Sequence, residues 1–445
     1  MNTFFKGLVF LVIAAFIGEC LEFFVNLVLA RQLGEHGMGL FMTILPSIFL
    51  VVVVASLELP ISISKYIAEK DEQYHRTTMK HAARFTIKLA FVFVAIGLFI
   101  VPNVPIFGEY HPFVKWLVII LIPIVSISSL AKGYFMGKQD MSKIAFSNFL
   151  RKAVQLLLLV FLYQLFSFEL NTAILIALCT LIGSELVVTL YLLHAFFIQW
   201  QFVKQGRYTV LTRKEVQKNL LAVSIPTTGM RLFHAVTHAI QPFLIKEALL
   251  RSGVPEGLAT EQFGLMAGVA MSIGFFPAFI AHSLLIALIP TVSEAYEKKE
   301  FGKLQKILQQ VMIITAIYGF PAVFLFYFFA DPLTHIFFQS SSATLYLQIL
   351  WPYFFIHFFI IPMQAFLIGL GLVKDAFYHS VWSTVFQFIV MFLLGSTHLE
   401  MQGVIIGMNF GAMLIMLMHY LTICQRIGLS VWLKDPAKGM KNVLR

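Results

Sequence analysis

The sequence predicts an all-α integral membrane protein of about 12 transmembrane helices, in two six-helix, pseudo-symmetric lobes. Three observations carry that expectation. Of 445 residues, 59% are apolar, only 12% are charged and 47 are Phe, too little polar surface to clothe a soluble particle of this size. Runs of about 20 apolar residues recur, each long enough as a helix to cross roughly 30 Å of hydrocarbon. The plan of the first half also returns in the second. Pro60 and Pro290 are 230 residues apart, as are Tyr66 and Tyr296 and Pro102 and Pro332, and in each half a Gly-Leu pair opens the apolar run that the first proline closes.

Taken in order, the spans fall near 7–30, 39–63, 85–101, 113–136, 144–166, 171–196, 219–245, 262–290, 308–330, 344–369, 375–396 and 402–423. The first stays apolar beyond the core of a secretion signal and shows no small-residue cleavage site, so it is expected to be retained. The second contains Pro60 and the eighth Pro290. Gly264, Gly268 and Gly274 allow close helix approach in the eighth, and Pro277 there, like Pro226 in the seventh, frees a carbonyl and favours a kink; packing and hinging both remain open. Lys and Arg collect in alternate connections: Lys65 to Arg84, Lys138 with Lys143, Lys204 to Lys218, Lys298 to Lys306, Lys374 and the tail from Arg426. This sorting predicts a cell-membrane, multi-pass protein with both termini cytoplasmic, and it accounts for the net charge of +10 without nucleic acid. The division expected is a lobe 1–198, a cytoplasmic linker 199–218, a lobe 219–423 and a basic tail 424–445 carrying Trp432. Segments 64–84 and 293–307 read as short amphipathic helices at the membrane surface.

Ionisable groups inside hydrocarbon are costly and therefore informative. Glu19, Glu22 and Asn26 share one face of the first span; Arg231, His234, His238 and Gln241 share one face of the seventh. Two accounts fit these stripes: a static interhelical ion pair, or a hydrated cavity in which they meet a substrate or coupling ion. Glu58, before Pro60, is expected near the inner end of its helix, reaching water. Glu185 is deeper, either lining a cavity or bonded to a neighbour. His282, His357, His379 and His419 read as isolated, neutral and hydrogen-bonded. His234 and His238 have the spacing of zinc ligands but no third ligand or HExxH glutamate, so no metal is expected. Cys20, Cys179 and Cys424 are far apart and read as packing residues. No GxxxxGK[ST] loop is present; neither a cofactor nor enzyme chemistry is expected.

The runs NLVLARQLGEHGMGLFMTILPSIF, LELPISISKYIAE, GYFMGKQDMSK and FGLMAGVAMSIGFFPAFIAHSLLIALIPTVSEAY resemble the polysaccharide-transporter and stage V sporulation protein B branch of the multidrug/oligosaccharidyl-lipid/polysaccharide (MOP) exporter superfamily, which also contains the lipid II flippases. The resemblance covers most of the chain. It implies two six-helix lobes around a cleft that opens to each side in turn, lined by the first and seventh spans. It also implies a flippase for a lipid-linked (poly)saccharide in cell-envelope or spore-envelope formation. The partners implied are a lipid-linked glycan or other amphiphile, membrane lipids and a coupling cation or proton. A cation- or proton-coupled multidrug exporter using Glu19 and Glu22 is the alternative, and a non-transporting protein of a sporulation assembly a second. Relatives handling lipid-linked peptidoglycan precursors are expected to carry arginine in place of Glu19 and a basic residue near Asn26, to hold a diphosphate. This chain departs there, and Arg231 is the mid-membrane cation that its first and seventh spans retain.

Overall fold

In the computed structural model, which describes residues 3–205, 209–338 and 342–428, every regular element is helical. The tail from 429 on, with Trp432, and residues 206–208 of the expected linker lie outside the described residues. In chain order the α-helices are α1 (Thr3–Ser56), α2 (Leu59–Glu69), α3 (Glu72–Ile100), α4 (Phe113–Gly137), α5 (Met141–Leu165), α6 (Leu170–Gln205), α7 (Arg213–Arg251), α8 (Glu256–Gly264), α9 (Met271–Gly274), α10 (Ala278–Glu297), α11 (Phe301–Phe328), α12 (Ala330–Phe338), α13 (Thr344–Ile349), α14 (Trp351–Gly369), α15 (Val373–Gly395) and α16 (Glu400–Ile427). A π-helix, Leu265–Ala270, joins α8 to α9.

Ten helices among the described residues are long and apolar enough to cross a membrane. One of them, Ala15–Glu69, runs from within the first expected span through the whole of the second. At 1.5 Å per residue the 54 residues of α1 would extend about 80 Å, more than twice the hydrocarbon thickness. The break comes at Gly34, whose φ of 69° and ψ of −179° end one helix and start another; a side chain there would strain the backbone. The seventh expected span is one continuous helix, α7, with 39 residues, long enough but too polar to qualify on hydropathy. The eighth is divided among α8, the π-helix, α9 and α10, with Phe275 to Pro277 forming the turn before α10.

The chain forms two compact units. One contains residues 31–242; the other contains residues up to Ala30 and those from Phe243 on. Packing therefore divides the molecule elsewhere than at the 199–218 linker: the first expected span belongs with spans eight to twelve, and the seventh with spans two to six. α1 and α7 are the helices that pass from one unit to the other, and Pro242 of α7 lies at its crossing point.

In the 31–242 unit, α2, α3, α4 and α6 share a core through Leu59, Ile63, Ile67, Met79, Tyr134, Phe135 and Phe196, to which α7 adds Val216 and Leu220. Lipid tails are as apolar as leucine, so such helices associate through close contact more than by exclusion of water. Gly137 shows this contact: a Cβ there would lie 2.6 Å from Cβ of Ile67 and 2.8 Å from the carbonyl oxygen of Ser64. In the other unit α10, α11, α14 and α16 make the corresponding core with Val292, Leu304, Leu308, Phe359, Phe366 and Ile423. Tyr66 and Tyr296, 230 residues apart, each pack into the core of their own unit.

The segments 64–84 and 293–307 are not separate surface helices, as the sequence suggested. They are the ends of membrane helices joined by tight turns: α2 stops at Glu69 and α3 starts at Glu72, while α10 stops at Glu297 and α11 starts at Phe301. Their periodic apolar residues, Tyr66, Ile67, Met79 and Ala82 among them, continue into the core and keep the helices running. Lys138 pairs with Glu72 and Lys298 with Glu294 at these ends. In the turn before α5, hydrogen bonds from Lys143 and Ser142 hold the Asp140 carboxyl below the usual carboxylate range.

Candidate functional site in two interrupted helices

The strongest polar constellation of the 31–242 unit forms where α1 ends. Leu57 and Glu58 take left-handed conformations, φ 45° and 46°, and Pro60 sits in the first turn of α2, where its missing N–H costs nothing. A helix ending inside a membrane leaves carbonyls that water cannot reach, so the neighbouring protein must satisfy them. α7 does so: the Ser224 hydroxyl donates to the Leu57 carbonyl at 2.5 Å and stands 3.4 Å from the Ser62 hydroxyl. Two turns along the same face of α7, Nη1 of Arg231 donates to Oε1 of Glu58 at 2.6 Å. The pair is asymmetric, with the Glu58 side chain 3% exposed and that of Arg231 60%. One edge of the guanidinium neutralises a buried carboxylate while the remainder stays open to another anion.

Glu58 thus does not reach water at the end of a helix; it is buried because the chain reverses its local twist there and α7 covers it. The signal was a lone carboxylate two residues ahead of a proline in an apolar run. Further along α7, His234 and Gln241 are half-buried and His238 is exposed. The His234 ring meets Phe233 edge-on at 5.5 Å, and its carbonyl accepts the Thr237 hydroxyl at 2.9 Å. Pro226 lies within α7, where the Thr227 hydroxyl bonds the Val223 carbonyl at 2.8 Å.

A second charged pair lies in the same unit. Nζ of Lys132 on α4 is 3.0 Å from Oε1 of Glu185 on α6, which the Ser128 hydroxyl approaches at 3.5 Å. Of the two roles open to Glu185, the structure gives bonding to a neighbour. Its partner Lys132, a lone cation in an apolar run, is a residue that the sequence reading missed.

In the other unit the acidic stripe of α1 lies against the eighth span. Phe16 and Phe23 pack edge-on against Phe276 at 5.9 and 5.8 Å, and Phe23 also against Phe337 at 5.3 Å. Asn26, on the same face, donates from Nδ2 to the Ser272 hydroxyl at 3.0 Å, and that hydroxyl donates to the Gly268 carbonyl at 2.7 Å. Gly268 lies in the π-helix, which follows Gly264; such bulges shift the backbone ladder and are frequent at functional sites. Glu19 falls between Phe16 and Phe23 by helical spacing, and both Glu19 and Glu22 are half-buried. Gly274 closes α9 under the Phe354 ring, which a Cβ would meet at 2.1 Å, and Pro290 lies inside α10.

The structure brings together Asn26 with the π-helix and Arg231 with Glu58, and the carboxylate that meets Arg231 is Glu58. It also joins two histidines expected to be isolated: Nδ1 of His379 lies 3.0 Å from Nδ1 of His419.

Comparison with known proteins fits this architecture. The family described as polysaccharide biosynthesis protein matches residues 4–253, and the MatE family matches residues 266–393. Sporulation protein YkvU of Bacillus subtilis (strain 168) is 52% identical over 97% of this chain and 98% of its own length. Stage V sporulation protein B of the same organism is 29% identical over 98% of this chain and 86% of its own. Its lipid II flippase MurJ is 20% identical over 76% and 66%. Among solved structures, an inward-facing multidrug resistance MATE family transporter of the MOP superfamily has a TM-score of 0.72 at 19% identity, covering 94% of this chain and 96% of that one.

Proposed function

The chain belongs to the polysaccharide biosynthesis protein family and is a multi-pass membrane transporter of the MOP superfamily, and on that footing we propose that it carries a lipid-linked (poly)saccharide precursor across the cytoplasmic membrane by alternating access. The names of its relatives favour cell-envelope or spore-envelope formation as the setting. The observation that carries the reading is Arg231: a cation within the spans, fixed by one edge to Glu58 and otherwise open. That is the chemistry needed to hold the phosphate of a lipid-linked sugar, for which a guanidinium offers several donors in a planar fork. Taking a diphosphate through bare hydrocarbon would cost many kcal/mol, tens per ion by the Born measure, so the head group needs a polar path while the lipid tail stays outside. An inside-negative potential helps outward movement of negative charge by about 2.3 kcal/mol per charge per 100 mV.

A second reading, a cation- or proton-coupled exporter of amphiphilic drugs, is favoured by Glu19 and Glu22 on the first span. Reconstituted protein assayed with several lipid-linked glycans, and separately with cationic dyes, separates the two. Glycan flipping that is lost in Arg231→Ala supports the first; dye efflux that depends on Glu19 and Glu22, without flipping, replaces it. Labelling in sealed cells tests orientation. With linker and tail cytoplasmic, Gln205→Cys and Lys438→Cys label only from inside in sealed cells, and external labelling of either reverses the assignment.

A further inference from the structure

The last two spans hold a buried pair of imidazoles that the site above does not use. His379 of α15 and His419 of α16 face each other through their Nδ1 atoms at 3.0 Å, and the Thr422 hydroxyl stands 3.3 Å from Nε2 of His379. His379 is 8% exposed and His419 0%, and Nε2 of His419 has no protein partner. A neutral imidazole carries one N–H and one acceptor nitrogen, so one hydrogen must lie between the two Nδ1 atoms. If His379 donates it, His419 keeps its own hydrogen on Nε2, where a buried N–H finds no acceptor. If His419 donates it, His379 can give its Nε2 hydrogen to Thr422, every hydrogen is used, and a lone pair on Nε2 of His419 remains. Either way a buried polar atom is left unmatched, a cost that an apolar pair in this interface would not carry.

We propose that the His379–His419 pair is a binding site for a single proton, taken up at Nε2 of His419, and that its uptake is linked to an opening around α16 that lets water reach that nitrogen. The step balances simply: one N–H bond forms on the lone pair and nothing leaves. The imidazolium so made keeps its Nδ1 hydrogen bond to His379, now charge-assisted. A second proton would set two N–H groups head to head, so uptake stops at one. On the same helix, Asp375 is the carboxylate whose field reaches His379. Other ionisable groups on α16 are Glu400 at its start, Tyr420, Cys424 and Arg426, the last held over the Tyr296 ring. On α14, the Tyr353 and His357 rings lie against each other at 5.2 Å. On α11, Lys303 pairs with Glu300, Lys306 is exposed and Tyr318 lies against Phe358. The core that α11 and α14 share with α16 is apolar, Leu304, Phe359 and Phe366 among its members. A charge in such surroundings is costly until water arrives, so the proton favours a state in which water reaches Nε2 of His419 while the Nδ1 contact stays closed. In a transporter this couples a proton to a conformational step; that use rests on the function proposed above, whereas the binding does not.

Cys424, buried on α16 five residues beyond His419, reports the opening. With Cys20→Ser and Cys179→Ser in the full chain, it is the remaining thiol. Its labelling rate by a membrane-permeant maleimide is measured in nanodiscs from about pH 8 to about pH 5, spanning the histidine range, with and without His419→Gln. Thiolate chemistry is common to both proteins and cancels in the ratio. The ratio is expected to rise as pH falls, by at most about tenfold per pH unit for one linked proton. A ratio constant within about twofold across that range, far below what one linked proton allows, overturns the proposal. Should His419→Gln fail to fold, nitrogen-15 spectra of the histidines in the unsubstituted protein decide: one proton gained by the coupled pair supports it, and two rings that stay neutral to about pH 5 reject it. Neither readout needs a substrate, so failure of the glycan assay and failure of the proton site are separate results.

Discussion

The first and seventh spans carry the two polar stripes read from the sequence, and each packs in the unit that holds the rest of the other one's half of the sequence. They solve the same problem differently. α7 meets a helix that has ended, at Leu57 and Glu58, and binds it through a charged pair plus a hydroxyl on an orphan carbonyl. The first half of α1 meets a helix that has bulged, at Leu265–Ala270, and binds it through a neutral amide–hydroxyl–carbonyl relay framed by phenylalanine rings. In hydrocarbon an interrupted helix needs polar help from a neighbour. The charged solution fixes position strongly and leaves a cation to act; the neutral one constrains less and tolerates sliding. The difference makes α7 the better candidate to hold an anion and the first half of α1 the better candidate to move against its partner.

The sharpest way to break that contrast is Arg231→Ala. It strands a carboxylate that is 3% exposed, and removing one member of a buried pair costs about 3–5 kcal/mol, here at the low end because the arginine side is open. Protein abundance should fall along with transport. Adding Glu58→Gln removes the stranded charge and should restore abundance while transport stays lost. Normal abundance in the single variant would mean that water already reaches Glu58.

The α7 stripe alone did not reveal which carboxylate meets Arg231, and the reason is local. Spans, basic connections and the polar face of α7 were legible because composition and period carry them. The partner of Arg231 was not, because Glu58 lies 173 positions away and faces α7 only after two residues adopt left-handed backbone, a choice written in no periodicity. The exchange of the first and seventh spans was hidden for the same reason: hydropathy counts spans but does not say which bundle each one joins. Asn26 was legible as polar, but its partner Ser272 was not, since that contact depends on how the eighth span packs. Lys132 and the His379–His419 pair escaped because each partner, read singly, looked ordinary.

A smaller effect separates the two helix pairs beside these sites. Gly137→Ala drives a Cβ to within 2.6 Å of Cβ of Ile67 and 2.8 Å of a backbone oxygen of α2; Gly369→Ala meets Cβ of Val292 at 2.8 Å and the Ile289 carbonyl oxygen at 3.0 Å. Overpacking of this kind costs about 1–3 kcal/mol. The α2–α4 pair is the tighter and, beside a chain break, the less able to yield. Gly137→Ala should therefore lower the unfolding midpoint in detergent more than Gly369→Ala, and the reverse order would show α10–α14 to be the more rigid pair.

The smallest effect expected is at the neutral contact. Asn26→Ala removes one hydrogen bond, and Ser272 can still donate to the Gly268 carbonyl at 2.7 Å, so no buried carbonyl is orphaned. Such a loss is worth about 1 kcal/mol. Ser272→Ala should cost more, because it leaves both the asparagine amide and the Gly268 carbonyl without that hydroxyl. A double-mutant cycle on Asn26 and Ser272, read from unfolding midpoints, should return a coupling of about 0.5–1.5 kcal/mol, the size of one neutral hydrogen bond. If the contact is also a latch that opens as the protein works, Asn26→Ala should change transport rate by more than it changes stability. A coupling near zero would show that the phenylalanine contacts, and not this bond, hold the first span to the eighth. The neutral half of the comparison would then lose its polar element, while the charged half at Glu58 and Arg231 would stand.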